Sequence, residues 1–272
     1  MDVTRLALLG GGVMGEAVLA AVVRAGVPAE GVTVCEKRRE RAEELEQRHG
    51  VRTTADAAQA VREAQVVVVA LKPGDVGTVL REVAPALADG VLVMSVAAGL
   101  SAAFYERLLP AGTPVLRVMP NTPALVGAGA TAIAPGAAAA EEHVRTGTQL
   151  LAATGLVVAV PEKDMDAVTA ISGSGPAYVF ALVDALAEAG VLLGLTRDRA
   201  LELATATFRG AVALLDETGD HPVLLRERVT SPGGTTAAGL RQLDAHGVRA
   251  AVVAAAEAAR DRSRSLSAEL EG

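Results

Sequence analysis

Six residues, Gly10-Gly11-Gly12-Val13-Met14-Gly15, separate a short apolar run from a helical pattern. No other segment restricts the fold as much. Arg5–Leu9 is apolar and of strand length, and the glycines end it. The helical pattern then runs from Glu16 through Val23 to Gly26, with Pro28 beyond it as a stop. Gly10 permits the tight turn, Gly12 leaves the backbone open to close approach, and Gly15 lets the helix lie against the strand. Such a turn is the first half of a β-α-β unit.

The rest of the first part repeats this alternation. Val32–Cys35, Val66–Ala70, Val91–Ser95, Val115–Met119 and Leu156–Val160 read as strands, and helical stretches such as Arg39–His49 separate most of them. Runs like Val66–Ala70 are apolar without a break, as expected for strands buried on both faces. The fold class is therefore α/β: an N-terminal Rossmann-like, doubly wound, mostly parallel sheet. After Pro161 only helices are predicted, so the domains are residues 1–161 and 162–272. Ala177–Leu195 is apolar around nearly its whole circumference, with Asp184 and Glu188 on one narrow stripe. About a hundred helical residues can hardly cover such a helix, so it predicts an all-helical dimerisation domain and a homodimer. The alternative is the central helix of a monomeric bundle.

Composition narrows the function classes. The 272 residues carry a net charge of −7, which disfavours nucleic acid as a partner. Cys35 is the single cysteine, so neither an intrachain disulfide nor a CxxC metal site can form. His49, His143, His221 and His246 lack ligand spacing, and no metal is expected. No signal peptide is read at the start. The charges of Asp184 and Glu188 favour a buried helix over a membrane span. The chain reads as soluble and cytoplasmic.

The glycine turn fits GxGxxG at Gly10, Gly12 and Gly15, in the strand-turn-helix context that makes the pattern meaningful. The helix start, including Val13 and Met14, then faces a pyrophosphate. The acidic residue expected after the second strand is Glu36, which suits ribose hydroxyls and NADH. Lys37, Arg38, Arg39 and Arg41 follow at once and suit a 2′-phosphate. These signals conflict. NADPH is mildly favoured, NADH stays open, and the cations also read as a solvated helix start. Two further loops follow strands at the ligand-binding edge: Ala70-Leu71-Lys72-Pro73 and Val96-Ala97-Ala98-Gly99. Lys72 is one of three lysines in the chain. Met119-Pro120-Asn121-Thr122-Pro123 could present Asn121 and Thr122 to a nicotinamide, or could be a simple proline-rich turn.

In the second half, Val229–Thr236 breaks one helix at Pro232, Gly233 and Gly234 and starts another at Thr235 and Thr236. Glycines at a helix start leave N–H groups open to a carboxylate, and Ser231, Thr235 and Thr236 add hydroxyls. The same residues also suit a capped helix corner. Ser172-Gly173-Ser174-Gly175-Pro176 is a second break, before the apolar helix.

Taken in order, these segments resemble pyrroline-5-carboxylate reductase over essentially the whole chain, and Val229–Asp244 is the most specific of them. The resemblance implies a Rossmann domain with a helical dimerisation domain, further assembly into rings of dimers, and a site formed across the dimer. It implies NAD(P)H-dependent reduction of Δ1-pyrroline-5-carboxylate to L-proline. By position, Thr236 would bond the ring nitrogen and act as the catalytic residue. Ser231 and the backbone of Gly233, Gly234 and Thr235 would hold the carboxylate. Glu36-Lys37 departs from the Asn-Arg pair common in members that prefer NADPH. Two rival readings are a β-hydroxyacid dehydrogenase and a nonenzymatic NADPH-binding regulator. The first would use a lysine on a helix of the second domain, whereas Lys163 lies in the connector. The second would not need the Ser231–Thr236 segment.

Overall fold

The first strand, β1 (Leu6–Leu9), is buried on both sides. Leu6 and Leu8 join one core cluster, and Ala7 and Leu9 join the other. The fourth strand divides in the same way, with Val66 and Val68 on one face and Val67 and Val69 on the opposite face. This is the period-two geometry of a strand covered by helices on both sides. The computed structural model describes residues 3–271.

Among these, eight strands form one sheet in the order β3-β2-β1-β4-β5-β6-β7-β8. They are β1, β2 (Val32–Cys35), β3 (Arg52–Thr54), β4 (Val66–Val69), β5 (Leu92–Ser95), β6 (Val115–Met119), β7 (Gly129–Pro135) and β8 (Gly155–Ala159). All neighbours pair in parallel except β6 and β7, which are antiparallel. Seven helices accompany the sheet: α1 (Val13–Arg24), α2 (Arg39–His49), α3 (Ala57–Val61), α4 (Pro73–Val83), α5 (Ala102–Leu108), α6 (Glu141–Leu151) and α7 (Met165–Val168). The six expected strands appear with ends shifted by at most one residue. Two strands were not expected, the edge strand β3 and the antiparallel β7.

The order of strands reverses between β1 and β4, because β2 and β3 extend to one side and β5 to the other. In an open α/β sheet, ligands bind outside the carboxyl ends of the strands at that reversal. Those ends lie level here. Gly10 N–H donates to the Cys35 carbonyl at 3.0 Å, Ala70 N–H to Leu9 at 2.8 Å, and Val96 N–H to Val69 at 3.0 Å.

The chain forms two compact units. The first comprises residues 1–174 with 259–272, and the second residues 175–258. Helices of the second unit are α8 (Gly175–Leu192), α9 (Arg197–Thr218), α10 (Pro222–Arg228), α11 (Thr235–Ala245) and the start of α12 (Val248–Glu271). Ala187, Ala200 and Ala204 make its small core, with Val183 against them. Phe180, Leu182, Leu186 and Leu192 on α8 are exposed in the single chain. Asp184 is paired with Arg197 at 2.6 Å. Burying one such side chain is worth roughly 1.5–3 kcal/mol, so covering this face would contribute many kilocalories to an assembly.

Candidate active site

The three fingerprint glycines serve different purposes. Gly10 has φ +104, and a Cβ there would lie 2.5 Å from the Ala70 carbonyl oxygen. On Gly15 a Cβ would overlap the Gly10 carbonyl oxygen. Both positions are fixed by packing within the chain. Gly12 differs, since nothing lies within 4 Å of a Cβ built there. It is the N-cap residue of α1, and no side chain caps that helix. The space beside Gly12 suits a ligand that approaches the backbone, and the uncapped N–H groups suit an anion. Val13 is exposed in the first turn and Met14 half-buried.

A cleft of about 680 Å³ opens from this turn, with Gly10, Gly12, Glu36, Arg38, Ala70 and Lys72 in its wall. Lys37 lines it too. Pro73 occupies the first turn of α4, and its N-cap residue Lys72 leaves that helix without a side-chain cap. Among the described residues, the ammonium groups of Lys37 and Lys72 make no hydrogen bond or ion pair.

The run of cations after β2 separates into distinct roles. Arg39 pairs with Glu43 at 2.8 Å on the surface of α2. Arg41 is largely buried, bonds Glu16 and Glu44, and donates from Nε to the Gly11 carbonyl at 2.8 Å. It braces the glycine turn and is not free for a phosphate. Arg38 bonds Glu36 through Nε at 3.1 Å and Nη2 at 3.2 Å, and its N–H donates to Glu36 Oε1 at 3.0 Å. Burial pushes the Glu36 carboxyl upward, but the Arg38 bonds outweigh it and hold the group below the usual range. Burial acts likewise on Glu16, yet bonds from His49, Arg41 and Arg48 bring it down to about 2.

The loop after β5 is shaped from beneath. The Ser95 hydroxyl is bonded to that of Tyr105, and Ala97 N–H donates to Ser95 Oγ at 3.2 Å. Burial pushes the Tyr105 phenol up to about 12, despite the bond to Ser95. It stays neutral and serves as a fixed support. Ala97 is half-buried and Ala98 exposed at the sheet edge.

Asn121 is buried, with both ends of its amide engaged. Nδ2 donates to the Ser172 carbonyl at 3.0 Å, and Oδ1 accepts from Ala130 N–H at 2.9 Å. Ser172 lies in a π-helical turn, Thr169–Gly173. Such turns disturb the regular carbonyl ladder, and Asn121 satisfies one of the carbonyls. Its geometry is that of a tie between segments. Thr122 is exposed and opens a 3-10 turn, Thr122–Val126.

In the second unit, α11 begins at Thr235 with Gly234 as N-cap residue and no side-chain cap. Gly233 has φ +71. A Cβ on Gly234 would overlap the Ser231 hydroxyl, and its N–H donates to the Ser231 carbonyl at 3.0 Å. Among the described residues, the hydroxyls of Ser231, Thr235 and Thr236 have no hydrogen-bond partner. Thr230, one residue earlier, donates to the Arg226 carbonyl at 2.6 Å, as threonines inside helices do. Three free hydroxyls thus surround a helix start that no side chain caps, an arrangement whose N–H groups and dipole suit an anion.

Comparison with known proteins agrees with this arrangement. Residues 162–266 match the family model described as pyrroline-5-carboxylate reductase dimerisation. Residues 5–99 match one described as NADP oxidoreductase, coenzyme F420-dependent. The chain is 45% identical to pyrroline-5-carboxylate reductase of Mycobacterium tuberculosis, over 96% of both chains. It is 39% identical to that of Methanosarcina acetivorans, over 98% of this chain and 99% of the relative. The solved reductase of Coxiella burnetii is similar with TM-score 0.92 and 33% identity, covering 98% of this chain and 99% of the other. That of Plasmodium falciparum, solved with NADP bound, has TM-score 0.87 and 28% identity over 98% of each chain. With near-complete coverage at this identity, the chain belongs to the pyrroline-5-carboxylate reductase family.

Proposed function

We propose that this protein reduces Δ1-pyrroline-5-carboxylate to L-proline, the last step of proline synthesis, with NADPH as the preferred reductant and NADH as a second. The observation that carries the reading is the mouth of α11. Its uncapped N-terminus and the free hydroxyls of Ser231, Thr235 and Thr236 suit a small anionic ring with one polar atom.

The residues of the first unit fit a dinucleotide. The open space at Gly12 admits a pyrophosphate, the α1 N-terminus faces its charge, and Lys72 supplies a cation at the same cleft. At the end of β2, Glu36 suits ribose hydroxyls and Lys37 a 2′-phosphate. When bound, the reduced nicotinamide supplies a hydride to the imine carbon.

On the substrate side, the dipole and N–H groups at the start of α11 hold the carboxylate without an arginine. Thr236 places its hydroxyl at the ring nitrogen. A protonated imine is already electrophilic at carbon, so a neutral partner suffices and a cation there would oppose it. As nitrogen becomes an amine, the hydroxyl donates to the new lone pair. Positioning supplies much of the acceleration.

The apolar face of α8 is read as covered by a second copy of the chain. Glu162–Leu192 is long and apolar enough to cross a membrane by length and composition. The Asp184–Arg197 pair and the match to a dimerisation family instead favour a protein partner. Assembly into a ring of dimers and a cytoplasmic setting belong to the same reading, and the free, buried Cys35 suits a reducing compartment. Titration with L-proline, followed by backbone amide resonances, tests the substrate site. Shifts centred on residues 231–236 are expected. Saturating proline that leaves those resonances unmoved would remove α11 from the site.

A further inference from the structure

The last turn of α12 ends on the loop that follows β5. Ser101 N–H donates to Glu271 Oε1 at 2.5 Å. The next N–H, of Ala102, donates to Glu162 Oε1 at 2.7 Å, and Arg117 holds that carboxylate at 3.0 Å. Leu270 packs on the core cluster that contains Tyr105 and Leu100. Its Cδ1 lies 3.1 Å from the position a Cβ would take on Gly99, which has φ +79.

We propose that Glu271, aided by Leu270, is a positioning residue for cofactor binding, holding the loop Val96–Leu100 in its binding shape. The loop is anchored at its entry by Ser95, which is bonded to Tyr105 and to Ala97 N–H. Its exit is anchored by Glu271 and Glu162. Between them, Ala97 and Ala98 have only methyl side chains, so their backbone is placed by the flanking anchors. The loop stands at the same sheet edge as the glycine turn, joined through the level ends of β1, β4 and β5. Removing the exit anchor leaves the loop more conformers and lowers the fraction ready to bind.

This inference rests on the reading that the edge binds NADPH. Fluorescence titration of NADPH tests it in the wild-type protein, Glu271→Ala, Glu271→Gln and Leu270→Ala, with thermal midpoints alongside. Glu271→Ala is expected to raise the NADPH Kd about fivefold to tenfold. Glu271→Gln keeps an amide oxygen that accepts from Ser101, and should stay within about twofold of wild type. Leu270→Ala should shift Kd in the same direction as Glu271→Ala, while KM for the imine stays put in every variant. A Glu271→Ala protein that binds NADPH as tightly as wild type overturns the proposal, as does a Glu271→Gln protein as weak as Glu271→Ala. A folded wild type that binds no NADPH overturns the underlying cofactor reading instead.

Discussion

Arg38 lays its guanidinium along the Glu36 carboxylate, with Nε 3.1 Å from Oε1 and Nη2 3.2 Å from Oε2. The pair occupies the end of β2, where the adenosine ribose of a dinucleotide would meet the chain. Each partner restrains the other. The Arg38 guanidinium stays largely exposed beside the mostly buried Glu36 carboxylate. Lys37 is the cation between them with no partner among the described residues. Lys37→Ala should therefore raise KM for NADPH about tenfold and change KM for NADH by less than about threefold. Glu36→Gln should free Arg38 and move the ratio of kcat/KM values toward NADPH. Steady-state kinetics with both cofactors checks this, and equal losses with both would deny Lys37 a role in discrimination.

Gly12 and Gly15 are expected to fail in different ways. Gly12→Ala adds a methyl into empty space at an ordinary φ of −69. It should fold with an unchanged thermal midpoint yet bind NADPH at least tenfold more weakly, because the methyl would fill the space proposed above for the pyrophosphate. Gly15→Ala drives a methyl into the Gly10 carbonyl oxygen and should cost roughly 1–3 kcal/mol of stability. Thermal melts beside NADPH titrations separate the two effects.

Glu16 links folding to acidity. Its carboxyl titrates at about 2 in the folded chain, against 4.5 as the ordinary value. A depressed carboxyl stabilises the fold fully above the unfolded value, and that contribution disappears as pH falls from about 4.5 through about 2. It is worth on the order of 2 kcal/mol after solvent screening. Urea unfolding of wild type and Glu16→Gln should differ most at pH 7 and converge near pH 2. A constant gap across that range would show that the ion network contributes nothing pH-dependent.

Thr236 carries the chemical step in this scheme. Thr236→Ala should fold normally, keep its NADPH affinity, and lose about a hundredfold or more in kcat. Thr236→Ser keeps the hydroxyl and should recover much of that loss. An alanine variant with near-normal turnover would remove Thr236 from the mechanism.

Much of this arrangement was legible in the sequence because it depends on local pattern. β1 and β4 are apolar without a break since helices cover both faces, and the glycine turn follows directly from β1. β3 left no signal: Arg52-Thr53-Thr54 is a short, polar edge strand, held by pairing with β2. β7, Gly-Ala-Thr-Ala-Ile-Ala-Pro, is made mostly of small residues with little strand signal, and it is a strand through its antiparallel pairing with β6. Arg41 looked like one more cation in a run, because its partner Glu16 lies 25 residues away. Asn121 was equally hard to place, as Ser172 lies 51 residues distant and its carbonyl is available only through the π-helical turn. Composition reveals little about such long-range partners. The apolar circumference of α8, in contrast, pointed to a missing partner from sequence alone, and its exposed Phe180 and Leu186 agree.

The most direct measurement follows NADPH oxidation by the purified protein with Δ1-pyrroline-5-carboxylate, with proline quantified in the same reaction. One proline formed per NADPH consumed is the expected result. Folded protein that binds NADPH but forms no proline would contradict the reductase assignment.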